Sequence, residues 1–104
     1  MLSDANKILE IVGQECSVSE QHSYFYITTT DVIDTVKKLR HKGFDSLTDC
    51  FVTNTKLIYL QLTNFDTRQS LFVVTQYDEM NKLQKLFKNF NAYELDMMRY
   101  INEH

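Results

Sequence analysis

The apolar positions along this chain follow two different spacings, one typical of helices and one typical of strands. Near the N-terminus, apolar residues three and four positions apart predict a helix. This stripe comprises Ala5, Ile8, Leu9 and Val12. Ser3 or Asp4 is suited to begin the helix and Gly13 to end it. The next segment, 23–29, is rich in aromatic and β-branched residues, so we predict a strand there.

A second helix is predicted from Asp31 onward, because apolar residues again recur at helical spacing and Gly43 follows as a C-terminal cap. Its apolar face comprises Val32, Ile33, Val36 and Leu39. Three strands are predicted after it, at residues 47–53, 56–64 and 70–77. The short link Thr53-Asn54-Thr55 predicts a hairpin between the first two, since asparagine tolerates positive φ.

Two helices are predicted to close the chain. Asp78 is suited to begin the first, whose apolar face comprises Met80, Leu83, Phe87 and Phe90. Asn91 is suited to begin the second, with Glu94 completing a capping box and an apolar stripe of Tyr93, Met97, Tyr100 and Ile101. The predicted order is therefore α-β-α-β-β-β-α-α. This order favours one two-layer α+β domain over residues 1–104, with a four-stranded, mainly antiparallel sheet and helices on one face.

Composition and charge narrow the classes of function. The 104 residues suit a single domain, and the net charge of −3 argues against a nucleic-acid partner. Two glycines and no proline leave no glycine-rich phosphate-binding loop. The N-terminus lacks the pattern of a signal peptide, and the longest strongly apolar run, 71–74, is far shorter than the roughly 20 residues of a membrane span. We expect a cytoplasmic protein without direct membrane insertion.

The cysteines and histidines indicate neither a metal site nor a disulfide framework. Cys16 and Cys50 are far apart in the chain, which predicts reduced thiols. The histidines share no ligand spacing with each other or with the cysteines, so we expect no bound metal and no cofactor. They are His22, His41 and His104. Cys50 lies in an apolar predicted strand, where cysteine usually behaves as a small hydrophobic residue; a catalytic thiol with a histidine base is the less favoured alternative.

The run from Lys37 to Lys42 is basic but contains no aromatic residue for base stacking. Its place at the C-terminal end of a predicted helix explains the charges, because cations stabilise the negative end of the helix macrodipole. Phosphate binding is the less favoured alternative for this run.

The C-terminal segment carries more large apolar side chains than one helix face can bury. Leu95, Met98 and Tyr100 cannot all share the face of Tyr93 and Met97. Methionine and tyrosine are frequent at adaptable interfaces, so we predict that this segment is the main partner contact. The predicted contact residues are Tyr93, Glu94, Asp96, Met98 and Tyr100.

With these motifs the chain resembles the hydrophilic C-type subunit of complex I (NADH-quinone oxidoreductase) and its shorter relatives in membrane-bound energy-converting nickel–iron hydrogenases. The resemblance extends over about residues 5–102. It rests on Phe44-Asp45-Ser46-Leu47-Thr48-Asp49, on the strand pair 57–63 and 71–76, on Tyr93-Glu94-Leu95-Asp96 and on Tyr100-Ile101-Asn102. Leu95 stands where that family has arginine, and Asn102 where it has glycine. The short chain favours the hydrogenase branch or a divergent paralogue.

The resemblance implies a non-catalytic accessory subunit that carries no metal and braces the large catalytic subunit and its neighbours. It also implies a position at the cytoplasmic face of the membrane through those partner subunits. Two alternatives stay open. One is a free-standing acidic regulatory module that binds a protein partner. The other is a small enzyme that uses Cys50.

Overall fold

A computed structural model describes residues 4–87, together with the backbone of residues 93–95. Three α-helices, one short 3-10 helix and six strands follow one another in these residues. They are α1 (Ala5–Val12), β1 (Ser17–Gln21), β2 (Tyr24–Thr28), α2 (Val32–His41), β3 (Ser46–Thr53), β4 (Leu57–Asn64), β5 (Gln69–Gln76), the 3-10 helix (Tyr77–Glu79), α3 (Met80–Leu86) and β6 (Tyr93–Leu95). The α+β class predicted from the sequence is confirmed.

The first two helices begin and end where their capping residues predict. The Asp4 carboxylate accepts the backbone N–H of Lys7 at 2.9 Å, and the Asp31 carboxylate accepts that of Asp34 at 3.2 Å. After α2, Gly43 has φ +97°, and a Cβ there would lie 2.6 Å from the amide nitrogen of Asn64. Glycine is therefore required both by the backbone conformation and by the close approach of Asn64.

The sheet has the strand order β1-β2-β5-β4-β3-β6. The pairs β1–β2, β5–β4 and β4–β3 are antiparallel, whereas β2–β5 and β3–β6 are parallel. The predicted sheet of four mainly antiparallel strands is wrong in strand number and order, because five strands lie between residues 17 and 76 and β6 adds a short sixth.

Strand β1 escaped prediction because its sequence, Ser-Val-Ser-Glu-Gln, offers one apolar side chain. The turn that follows β1 is the feature that makes β1 and β2 a hairpin. His22 and Ser23 connect Gln21 to its pairing partner Tyr24, and both have positive φ, at 52° and 71°. Positive φ at both central residues defines the type I′ turn that matches the twist of a two-strand hairpin.

The predicted hairpin joining β3 to β4 is confirmed, but its left-handed residue differs from the prediction. Lys56, and not Asn54, has positive φ, at 65°, and its N–H donates to the carbonyl oxygen of Thr53 at 3.0 Å. Residues 54–56 thus form a three-residue hairpin loop that ends in a left-handed residue, which is a common connection between two strands.

The core lies between the helices and one face of the sheet. Helix residues Ile8, Val36 and Leu39 are fully buried, and so are the β4 residues Ile58 and Leu60. Alternate positions of β2, β3 and β5 complete the same cluster, together with Leu83 and Phe87 at the C-terminal end. Because helix residues join strand residues of a single parity, the described helices cover one face of the sheet, as a two-layer arrangement requires.

The predicted C-terminal helices need two corrections. α3 starts after a 3-10 turn, and no side chain caps it at Glu79, so Asp78 does not have the predicted capping role. Tyr93, Glu94 and Leu95 form β6, parallel to β3, where the sequence predicted a helix. The alternating Tyr-Glu-Leu pattern fits a strand, and the exposed edge of β3 provides the hydrogen-bonding partner that decides it.

The β1–β2 turn gives a direct test of the fold. Replacing His22 by asparagine and Ser23 by glycine should raise the free energy of unfolding by about 1 kcal/mol, because Asn-Gly adopts positive φ with little steric cost. Urea unfolding followed by circular dichroism measures the change. The double alanine variant at the same two positions is the control and should be destabilised. A loss of stability in the Asn-Gly variant would show that the turn is of another type.

Candidate functional site

The face of the sheet opposite the helices carries a cluster of five aromatic side chains, here called the aromatic face. Cross-strand pairs share a face, and the pairs Tyr26–Phe72 and Tyr59–Phe51 bring rings from four strands together. Val74, between Thr28 and Tyr59 in the register, also lies on this face and is only 5% exposed. The aromatic face comprises Tyr24, Tyr26, Phe51, Tyr59 and Phe72.

The rings form two stacked pairs set at steep angles to each other. Tyr26 and Phe72 are parallel within 7°, with centroids 4.9 Å apart, and Phe51 and Tyr59 are parallel within 7° at 5.0 Å. Between the pairs, the ring centroids of Tyr26 and Tyr59 lie 6.2 Å apart and the ring planes cross at 79°, which is an edge-to-face contact. Tyr24 adds a second such contact to Phe72 at 5.6 Å. Both arrangements are favourable for aromatic rings and hold them in fixed orientations.

The aromatic face is poor in charge. The strands β1 to β5 contain no lysine, arginine or histidine, and their only acidic residues are Glu20 and Asp49. Burial raises the pKa of the Tyr26 phenol above its ordinary value, and the nearby phenols of Tyr59 and Tyr24 act in the same direction. Tyr26 is therefore a neutral hydroxyl at physiological pH.

A cavity of about 530 Å³ opens at the end of the aromatic face, beside the β3–β4 turn. Rings of Tyr26, Phe51 and Tyr59 line it on one side, and the side chains of Gln21 and Asn54 lie at its rim. Residues of β1 and β2 line it together with residues of the β3–β4 turn. Its lining combines apolar rings with hydroxyl and amide groups that can form hydrogen bonds.

Sequence reasoning missed the aromatic face, although one signal for it was present. The run Leu71-Phe72-Val73-Val74 is apolar at both parities, which is typical of a strand that is covered on both faces. In the structure Leu71 and Val73 lie in the core, whereas Phe72 and Val74 lie on the aromatic face. The second apolar face was therefore visible in this one strand.

Cys50 has the properties of a core residue. Its side chain is 4% exposed, and burial, with a smaller contribution from Asp49, raises the pKa of the thiol to about 12. A nucleophilic cysteine needs the opposite shift, toward the thiolate. Cys16 is partly buried, and its sulfur lies 3.7 Å from the Thr35 hydroxyl. Among residues 4–87, no three histidine, cysteine or acidic side chains lie close enough together to hold a metal ion.

Two residues of the basic run of α2 have partners within the molecule. Lys38 forms an ion pair with Asp34 at 2.8 Å and approaches the carbonyl oxygen of Val12 at 3.4 Å. The hydrogen bond to Asp34 is the main reason that the pKa of Lys38 is raised. The guanidinium of Arg40 lies 4.4 Å from the ring centre of Phe87. Lys38, Arg40 and His41 lie in the last turn of α2, where the sequence placed these charges.

Two of the predicted partner-binding residues lie at the edge of the sheet. Tyr93 and Glu94 belong to β6 and pair with Phe51 and Val52 of β3. Asp96, Met98 and Tyr100 lie outside the described residues. Since Phe51 is part of the aromatic face, the predicted contact segment starts directly beside it.

Comparison with protein-family models, with curated proteins and with solved structures finds no match to this chain. Within the described part of the chain, no helix has the length and apolar character needed to cross a membrane.

The burial of Cys50 predicts unequal thiol reactivity. At pH 8 a thiol reagent should label Cys16 in the native protein and should reach Cys50 only after unfolding. Mass spectrometry of labelled protein measures the sites. The variant Cys50→Ala should keep the native labelling, and Cys16→Ala should lose it; rapid native labelling of Cys50 would contradict its burial.

The same burial predicts a pH dependence of stability. The thiol of Cys50 has an ordinary pKa of 9.0 and a folded-state pKa of about 12, so its contribution is complete below pH 9 and is lost as the pH rises toward 12. The group accounts for a slope of at most about 1.4 kcal/mol per pH unit in the free energy of unfolding. Cys50→Ala should lack this part of the slope.

Proposed function

We propose that this chain is a non-catalytic binding subunit that docks a protein partner through its aromatic face. The proposal rests on the contrast between the two faces of the sheet. Helices cover one face, whereas the opposite face presents five rings and almost no charge. Contiguous apolar surface of this kind marks interaction sites, and tyrosine and phenylalanine are enriched in the centres of interfaces.

A protein partner fits this face better than a nucleic acid. Sheets that stack single-stranded bases combine aromatic rings with a positively charged groove along the phosphate backbone. The strands β1 to β5 provide the rings without a lysine or arginine. The complementary partner surface is therefore apolar and weakly charged at its centre, with aromatic or methionine side chains as anchors.

The predicted C-terminal contact segment extends the same surface. β6 pairs with Phe51 at one side of the aromatic face, so Tyr93, the first residue of the predicted contact segment, lies next to the proposed docking site. A partner seated on the rings would reach β6 without crossing the core. Docking through the face and docking through the segment are thus parts of one proposal.

The resemblance described above supplies the identity of the partner in this proposal. By that resemblance the chain braces the large catalytic subunit of an energy-converting hydrogenase or of a complex I-type oxidoreductase. It would then work in the cytoplasm, attached to the membrane through its neighbours. The thiol of Cys50, buried and with a raised pKa, supports a role without chemistry of its own. The second candidate is a free-standing acidic regulatory module, favoured by the net charge of −3.

Tyr24→Ala tests the docking face. Tyr24 is 40% exposed and has one ring contact among the described residues, so its removal should weaken partner binding about ten-fold or more and cost the isolated domain less than about 1 kcal/mol. The measurement is recovery of partner subunits with the tagged chain from detergent-solubilised native membranes, alongside urea unfolding. Phe65→Ala is the matched control, because Phe65 is 66% exposed but lies in the β4–β5 loop.

Two outcomes of this experiment separate the candidates. Recovery of a nickel–iron or complex I-type large subunit, lost in Tyr24→Ala and kept in Phe65→Ala, supports the accessory subunit. Recovery of an unrelated soluble partner with the same dependence supports the regulatory module. Equal recovery with both variants would mean that the aromatic face does not bind the partner.

Tyr100→Ala tests the C-terminal contact separately. It should weaken assembly by about 1–3 kcal/mol and leave the isolated domain folded, because the residue is predicted to contact the partner. The same recovery and unfolding measurements apply. A domain that unfolds on this substitution, or an assembly that is unaffected by it and by Asp96→Ala, would place the contact elsewhere.

A further inference from the structure

The cavity beside the β3–β4 turn has the size and lining of a small-molecule site. Its volume of about 530 Å³ falls within the usual range for ligand pockets, roughly 300–1,000 Å³. Ligand pockets typically combine aromatic walls with a few groups that can form hydrogen bonds. Here the walls are the rings of Tyr26, Phe51 and Tyr59, and the polar groups come from the β1–β2 and β3–β4 hairpins.

The ring arrangement favours a flat occupant. Tyr26 and Tyr59 meet at 79°, and Phe51 lies parallel to Tyr59 at 5.0 Å. A planar ring in the cavity can extend this pattern, stacking on one ring and meeting the edge of another, which are the two favourable aromatic geometries. Because neighbouring contacts hold the rings in place, little conformational freedom is lost when a ligand binds.

The rim supplies hydrogen bonds from uncharged groups. Gln21 and Asn54 have exposed amide side chains at the cavity. The hydroxyls of Thr53 and Thr55 lie 2.9 Å apart, and Thr53 also accepts the N–H of Leu57 at 3.2 Å, so these two residues fix the shape of the rim. The amides can donate to and accept from polar atoms at the edge of a ligand.

The lining carries no charge, so neither anions nor cations are its preferred ligands. No lining residue is acidic or basic, and the raised pKa of Tyr26 keeps its phenol protonated. An anion or a cation entering the cavity would lose hydration without gaining an opposite charge.

We propose that this cavity binds a flat, uncharged ring compound with a hydrogen-bonding edge, as a free small molecule. The site shares Tyr26, Phe51 and Tyr59 with the proposed protein docking surface, whereas Tyr24 belongs to the aromatic face but does not line the cavity. A side chain of a protein partner has similar chemistry, so the experiment uses the isolated full-length chain, where only a free ligand is present.

The test is an NMR titration of the full chain with indole, indole-3-acetate and tryptamine, which share a ring and differ in charge. Indole should bind with a dissociation constant near 1 mM and shift signals of residues around the cavity. Both charged analogues should bind at least ten-fold more weakly. Binding of either one as tightly as indole, or no saturable binding of indole below 10 mM, overturns the proposal.

Variants locate the binding and separate it from docking. Tyr59→Leu should weaken indole binding at least ten-fold, with its spectrum checking that the fold is kept. Asn54→Asp is a nearly isosteric change in an exposed turn that adds a negative charge at the cavity. It should improve the binding of the cation tryptamine relative to the anion indole-3-acetate. A binding site elsewhere on the protein would not show this change in preference. Tyr24→Ala should leave indole binding unchanged while it weakens recovery of the protein partner. Loss of indole binding in Tyr24→Ala, or an unchanged preference in Asn54→Asp, overturns the placement in this cavity.

Discussion

The parallel pairing of β2 with β5 joins the two halves of this molecule. On one side of it lie α1, β1, β2 and α2, and on the other the β3–β4–β5 meander. Beyond the strand pairing itself, the Thr29 N–H donates to the carbonyl oxygen of Val74 at 3.0 Å, and the buried Thr75 hydroxyl donates to that of Thr29 at 3.2 Å. The pairing places Ile27 beside Val73 in the core and Tyr26 beside Phe72 on the opposite face. The core and the aromatic face therefore depend on the same junction.

The two faces of the sheet meet different physical demands. On the helix side, fully buried aliphatic residues stabilise the fold by removing apolar surface from water. On the other side, rings stack on each other and remain partly exposed, which limits their contribution to folding and leaves surface for binding. Because residues alternate between the faces, a substitution on one face leaves the contacts of the other largely in place. This separation is what allows docking and stability to be tested independently.

Local signals predicted much of the fold, whereas features set by strand order were missed. Asp4, Asp31 and Gly43 mark helix ends through hydrogen bonds or backbone conformations that involve near neighbours in the chain. β6 could not be predicted in this way, because Tyr93–Leu95 suits a helix start as well as a strand and the edge of β3 decides between them. Likewise, Tyr26, Phe51 and Phe72 come from three separate strands, and only the order of the sheet brings their rings together.

The strand order also sets how quickly the chain can fold. In the meander each strand pairs with its neighbour in sequence across turns of residues 54–56 and 65–68, so few positions must be fixed before contacts form. Pairing Tyr26 with Phe72 instead encloses α2, β3 and β4 in one long loop, whose closure costs entropy before any contact compensates it. The meander can therefore assemble first and present its β5 edge as a template, onto which the N-terminal hairpin and α2 then add as a unit.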